Sequence, residues 1–150
     1  MVERTDVVAH RRRIDALKSL AIGALPAADA GVVNAEFERV TQAGKVRMQQ
    51  RRYLLEVIHS SRATDTGLQR YLLHRESVLR RNIGGVLTYL KDNGIGGNCL
   101  SVHRYNTHTK NVAKVRNTYA HEAGAFPTNS TEVETLLDAM DACLTDVFSL

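Results

Sequence analysis

The sequence predicts an all-α fold, one bundle of four or five helices built from a single domain over residues 1–150. Three observations lead there. Apolar residues recur at three- and four-residue spacing along nearly the whole chain. Proline, which interrupts helices, occurs only at Pro26 and Pro127. No stretch alternates apolar and polar residues well enough to propose a sheet. Hydrophobic residues make up 43% and charged residues 24% of the chain, an ordinary globular balance that can bury a core without disulfides or metal.

A first helix is expected from about Thr5 to Ala24, with Val7, Ile14, Leu17 and Ala21 on one side. It ends at Leu25-Pro26, because the residue before proline avoids helical backbone angles. Asp29 can cap a second helix, whose stripe runs on through Val33, Phe37, Val40, Gly44, Met48, Leu55 and Ile58. Gly44 marks a kink or a close contact in it. Ser60 to Thr66 reads as a polar break, with Asp65 or Thr66 capping a third helix. The third stripe is Leu68, Leu72, Val78 or Leu79, Val86 and Leu90, with a possible bend at Gly84-Gly85. Asn93 to Asn98 is the clearest loop in the chain. A fourth helix is expected from about Thr107 to His121, and Cys99 to Tyr105 could form another turn ahead of it. After a loop at Gly124 to Asn129, Thr131-Glu132-Val133-Glu134 fits a capping box. It opens a last helix carrying Val133, Leu136, Leu137, Met140, Leu144 and Val147.

Charge divides the chain sharply. All 20 Lys and Arg lie before residue 122 with 10 acids, while residues 122–150 hold six acids and no Lys or Arg. Drifting solvated faces would produce such a division. An anionic partner for the basic part, with the acidic last helix lying elsewhere, would produce it too. No segment is apolar and long enough to span a bilayer, and no secretory signal is visible in the first residues. Cys99 and Cys143 match no metal or redox spacing, as expected of reduced thiols in a cytoplasmic protein. The six histidines (His10, His59, His74, His103, His108 and His121) contain no His-x-x-x-His pair, so no metal site is predicted. No phosphate-binding loop, dinucleotide fingerprint or serine nucleophile elbow is present, so no cofactor is expected.

The segment from Lys110 to His121 stands apart. On a helical wheel Val112, Ala113, Val115, Tyr119 and Ala120 form an apolar arc with Arg116 at its centre. Lys110, Lys114, Asn117 and His121 gather on the other side. Burying an unpaired guanidinium costs several kcal/mol, on the order set by charge burial. Arg116 therefore faces an acid such as Glu56 or Glu76, a subunit interface, or a ligand anion. Arg116 and His121 lie about 140° apart on an ideal helix. They converge if the last turn distorts, if the helix ends near Ala120, or if two copies of the helix meet.

Arg116-Asn117-x-x-x-His121, near the end of a penultimate helix, resembles the signature of HEPN domains, the higher eukaryote and prokaryote nucleotide-binding fold. That pattern is Arg, four to six residues, then His, often with a polar residue directly after the Arg. Arg4/His10 and Arg52/His59 share the spacing but lack the Asn and the position in the fold. The resemblance implies a metal-independent endoribonuclease of toxin or host-defence type, acting as a homodimer whose two motifs line one cleft, with an antitoxin or regulatory protein as a further partner. His121 would deprotonate a ribose 2′-hydroxyl, Arg116 would hold the phosphate, and Asn117 would orient either of them. The products would be a 2′,3′-cyclic phosphate and a 5′-hydroxyl. Lys110 and Lys114 would attract RNA. Some toxin members of the family carry Tyr two residues after the His; here that position is Ala123. A non-catalytic HEPN-like module that dimerises or docks a partner is the alternative reading, and a plain basic nucleic-acid-binding bundle is a third.

Overall fold

Helices start and stop in this chain mainly where short polar side chains and glycine-rich turns allow it, and the computed structural model shows where. It describes residues 5–43, 45, 48–122 and 125–150. Among them lie α1 (Thr5–Gly23), α2 (Ala27–Ala43), α3 (Gln49–Glu76), α4 (Ile83–Asp92), α5 (Val102–His108), α6 (Lys114–His121) and α7 (Ser130–Phe148). A π-helical turn, Thr109–Ala113, joins α5 to α6 without leaving helical backbone angles, so these two form one rod. The fold is an all-α helical bundle with six rods rather than four or five, and the described residues contain no strand.

α1, α2, α3 and α7 close a ring in which each packs on the next. α4, α5 and α6 cover the remaining side of α3 and α7. The ring buries Leu17, Phe37, Leu68, Leu72, Leu137 and Met140 completely or nearly so. Each such side chain contributes about 1.5–3 kcal/mol by leaving water, so Phe37→Ala alone would cost about 3–5 kcal/mol. The predicted stripes of α1 and α7 are these buried faces.

Several boundaries differ from expectation. The helix-long stripe predicted through Val33 to Ile58 is two helices. α2 ends at Ala43, and Met48, expected in the stripe, is 70% exposed where α3 begins. The expected feature at Gly44 lies outside the described residues. α3 then runs straight through Ser60 to Thr66, the predicted break. Ser60, Ser61, Ala63, Thr64 and Asp65 are buried there. Small side chains on that face let α3 sit deep among its neighbours, so polar composition marks an interior stretch of helix and not a loop. No helix starts at Asp65 or Thr66. α3 instead ends at Ser77, whose φ of 57° is left-handed. Asn82 then caps α4, its side-chain oxygen accepting from the Gly85 N–H at 2.8 Å. Gly84 and Gly85 lie in the first turn of α4, where the expected bend is a helix start.

Caps moved as well. Asp29 sits in the first turn of α2, whose opening bond runs from the Ala30 N–H to the Pro26 carbonyl. Its carboxylate pairs with Arg70 instead, at 3.3 Å. α5 begins at Val102, five residues before the expected start, because Ser101 caps it through the Arg104 N–H. α7 is capped by Asn129 through the Glu132 N–H at 3.0 Å, two residues before the predicted Thr131. Glu132 reaches back to the Thr128 hydroxyl and N–H, at 2.7 and 3.0 Å.

The charge division is answered in part inside the bundle. The acidic α7 lies on the chain's own basic and histidine side chains. Arg13 meets Asp138 at 2.9 Å and Glu134 at 3.8 Å, and Asp146 takes His108 at 2.7 Å and Arg104 at 3.6 Å. No helix among the described residues is long and apolar enough to cross a membrane.

Candidate active site

The motif helix is placed by the turn before it. His108 is 3% exposed and its Nε2 bonds Asp146 of α7, which pins the end of α5 to the bundle. The π turn follows at once, and both Val112 and Ala113 are buried by it. One extra residue in a helical turn rotates everything beyond it, and such turns are frequent at functional sites. α6 then runs two turns and stops at His121. Glu122 leaves helical angles, its N–H still bonded to the Thr118 carbonyl at 3.0 Å.

Arg116, Asn117 and His121 border one open depression of about 560 Å³, together with Lys114, Thr118, Glu122 and Asn82. Both motif residues thus border the same depression within one chain. Asn82 brings the start of α4 to the edge of this space, and a smaller hollow behind it is lined by Ile83, Gly84, Arg116 and Asn117. Lys114 and His121 are solvent-exposed. Lys110 is exposed too, but it sits in the π turn and does not border the depression. Of the two lysines that the wheel groups, Lys114 is the one at the depression.

Arg116 has an acidic partner, and it is neither Glu56 nor Glu76. Its Nη2 lies 3.5 Å from Asp65 Oδ2 of α3, and its Nη1 donates to Asn117 Oδ1 at 2.9 Å. Glu56 is engaged by His10, and Glu76 accepts from the Gly96 N–H. The arginine side chain is 23% exposed, so it lies at the wall of the bundle and not at the centre of a buried face. The apolar arc is covered by the chain itself at Val112 and Ala113, while Ala120 is exposed. Val112 has no accessible surface in the single chain. Tyr119 is half-buried, and its hydroxyl donates to Glu132 at 3.3 Å; burial and the Glu132 charge both push its acidity to higher pH.

Asp65 is the residue that sequence reasoning missed. It stands 51 positions from Arg116, and no spacing rule links them. Burial pushes its carboxyl above the ordinary carboxylate range, and the Gln69 amide, the Arg116 guanidinium and the Ile83 N–H pull part of the way back. Asp65 thus holds Arg116 at a distance typical of a loose ion pair. Asn117, expected to orient His121 or a phosphate, accepts from the Arg116 guanidinium.

The other Arg–His pairs serve the bundle. Arg52 is buried against Asp6, and His59 Nδ1 bonds Glu36 at 2.9 Å. Arg4 and Ala123 lie outside the described residues. Among the described residues no three His, Cys, Asp or Glu side chains are grouped to hold a metal. Cys99 is exposed; Cys143 is buried, which pushes its thiol up to about 12.

The depression is bordered by residues that carry a guanidinium, an ammonium, an amide and an accessible imidazole. The first three suit the oxygens of a phosphate through charge-assisted bonds. An imidazole can both accept and donate a proton. No protein-family profile matches the chain, and neither the curated proteins nor the solved structures include one that matches it significantly.

Proposed function

We propose that the chain is a HEPN-like, metal-independent endoribonuclease. The observation that carries this reading is the single depression bordered by Arg116, Asn117, His121 and Lys114. RNA enters with a phosphodiester against Arg116 and Lys114. His121 takes the proton of the adjacent 2′-hydroxyl, the 2′-oxygen attacks phosphorus, and the 5′-oxygen leaves with a proton from water. The ends are a 2′,3′-cyclic phosphate and a 5′-hydroxyl. Positioned acid–base catalysis of this kind contributes about 10²–10⁴-fold. The homodimer, the cytoplasmic setting, the toxin or defence role and an antitoxin or regulatory partner rest on the resemblance of the motif alone.

The test is incubation of wild type and His121→Ala with total RNA in excess chelator, followed by end-group analysis. Cleavage that survives chelation, requires the 2′-hydroxyl and falls at least about 100-fold in the variant is the expected result. Loss of activity on chelation, or cleavage of DNA as well, overturns the mechanism. The second reading, a non-catalytic module, is favoured by one specific observation. Arg116 is already engaged by Asp65 and Asn117, as a structural arginine would be. Absence of cleavage from the isolated chain and from the chain released from a partner selects that reading.

A further inference from the structure

A second set of groups, remote in sequence from the motif, is assembled by α1, α3 and α7. His10 is 1% exposed. Its Nδ1 lies 2.7 Å from Glu56 Oε2, and its Nε2 lies 2.8 Å from the hydroxyl of Ser130. Carboxylate, imidazole and hydroxyl thus stand in one line, each within hydrogen-bond reach of the next. This is the order in which an acid orients an imidazole and the imidazole activates a hydroxyl nucleophile.

Burial runs in the direction such a line requires. Glu56 is 2% exposed at the inner end, whereas Ser130 is the first residue of α7 and half-buried. The inner carboxylate is also offset. Its second oxygen lies 3.8 Å from the Nε of buried Arg52, and that Nε has no hydrogen-bond partner of its own among the described residues. With the Nδ1 proton donated to Glu56, Nε2 carries the lone pair that faces Ser130. Glu134 is the competing acceptor, 3.3 Å from the Ser130 oxygen and 3.9 Å from Nε2. The imidazole is nearer, and Arg13 offsets Glu134 at 3.8 Å.

We infer that Glu56, His10 and Ser130 form an activated serine, giving this chain an acyl-transfer activity toward small activated esters that does not depend on Arg116 or His121. In the first step the Ser130 oxygen bonds to the ester carbonyl carbon and its proton passes to His10 Nε2. The carbon–oxygen bond to the leaving group breaks, and that proton goes to the departing oxygen. Water then attacks the acyl carbon and gives a proton to Nε2; the acyl–oxygen bond to Ser130 breaks, the Nε2 proton passes to the Ser130 oxygen, and the free acid leaves. Glu134 and, through it, Arg13 stand beside the hydroxyl, so a small acyl group such as acetyl is the probe of choice.

The test uses the full chain with a fluorophosphonate probe and 4-nitrophenyl acetate. Intact mass and peptide mapping should find one adduct, on Ser130, and Ser130→Ala should lose both adduct and ester hydrolysis. His10→Gln should slow labelling at least about 100-fold. Glu134→Gln, which removes the competing acceptor, should leave labelling intact or raise it. Circular dichroism and melting confirm folding of each variant; if His10→Gln does not fold, Ser130→Ala and Glu134→Gln decide. No adduct, an adduct elsewhere, labelling unchanged in folded His10→Gln, or labelling lost in folded Glu134→Gln overturns the inference and leaves His10 as a buried strut between helices. RNA cleavage does not enter any of these readouts, so this result stands apart from the ribonuclease proposal.

Discussion

Asp65→Asn tests how Arg116 is held. The guanidinium lies 3.5 Å from the carboxylate, with side chains 23% and 12% exposed. A pair this long and partly wetted contributes about 1 kcal/mol, the upper end of the range for ion pairs near a surface. A phosphate that binds Arg116 must loosen that pair. The asparagine keeps the shape and an acceptor oxygen but removes the charge, so about 1 kcal/mol should return to RNA binding, or about fivefold in Kd. The assay is fluorescence anisotropy with a 2′-O-methyl oligonucleotide, which binds without being cleaved, at fixed ionic strength. The cycle with Arg116→Ala isolates the contact, since Asp65→Asn should have no effect once the arginine is gone. Equal or weaker binding by Asp65→Asn would refute the reasoning. Asp65 would then be a support that aims Arg116, and not a competitor for it.

Two further outcomes follow from the same geometry. Lys114→Glu should weaken RNA binding and flatten its salt dependence by about one phosphate contact, while Lys110→Glu, outside the depression, should change both less; equal effects in salt titrations would place the RNA over the π turn as well. The raised pKa of Asp65 sets a sign for stability. Its protonated form is favoured by the fold, so its contribution is fully present below the ordinary value of 3.8 and lost as pH rises through the raised folded value. Urea unfolding of wild type and Asp65→Asn should therefore diverge in favour of the variant as pH climbs through that window, and stay parallel above it. Divergence in favour of wild type would mean that Arg116 outweighs the burial cost.

What was legible in the sequence was periodicity with apolar residues in it. The faces of α1 and α7 and the loop at Asn93–Asn98 follow from spacing and turn chemistry, and all three are where the pattern puts them. Ser60 to Thr66 was illegible for a physical reason. Small hydroxyl side chains favour turns when exposed, but they also allow close helix contact when buried, and composition alone does not distinguish the two. The same ambiguity joined α2 to α3, because a 3.6-residue stripe passes through a break without losing phase. The π turn was invisible because a wheel at constant rotation assumes that every turn holds the same number of residues.

The site shows where local reading stops in a different way. Arg116, Asn117, Lys114 and His121 are close in sequence, and that closeness is enough to find them. What governs their chemistry arrives from elsewhere: Asp65 from the middle of α3, Asn82 from the start of α4, and Asp146 from α7 through His108. None of these has a fixed offset from the motif, because each is set by how separate helices pack. On the wheel, a second copy is one of three ways to bring Arg116 and His121 together. Packing within one chain covers Val112 and Ala113, and Arg116 and His121 both border one open depression. Whether a second copy takes part in cleavage, for instance with a second imidazole to protonate the leaving oxygen, is a separate matter. That is a kinetic question, and the dependence of cleavage rate on protein concentration answers it.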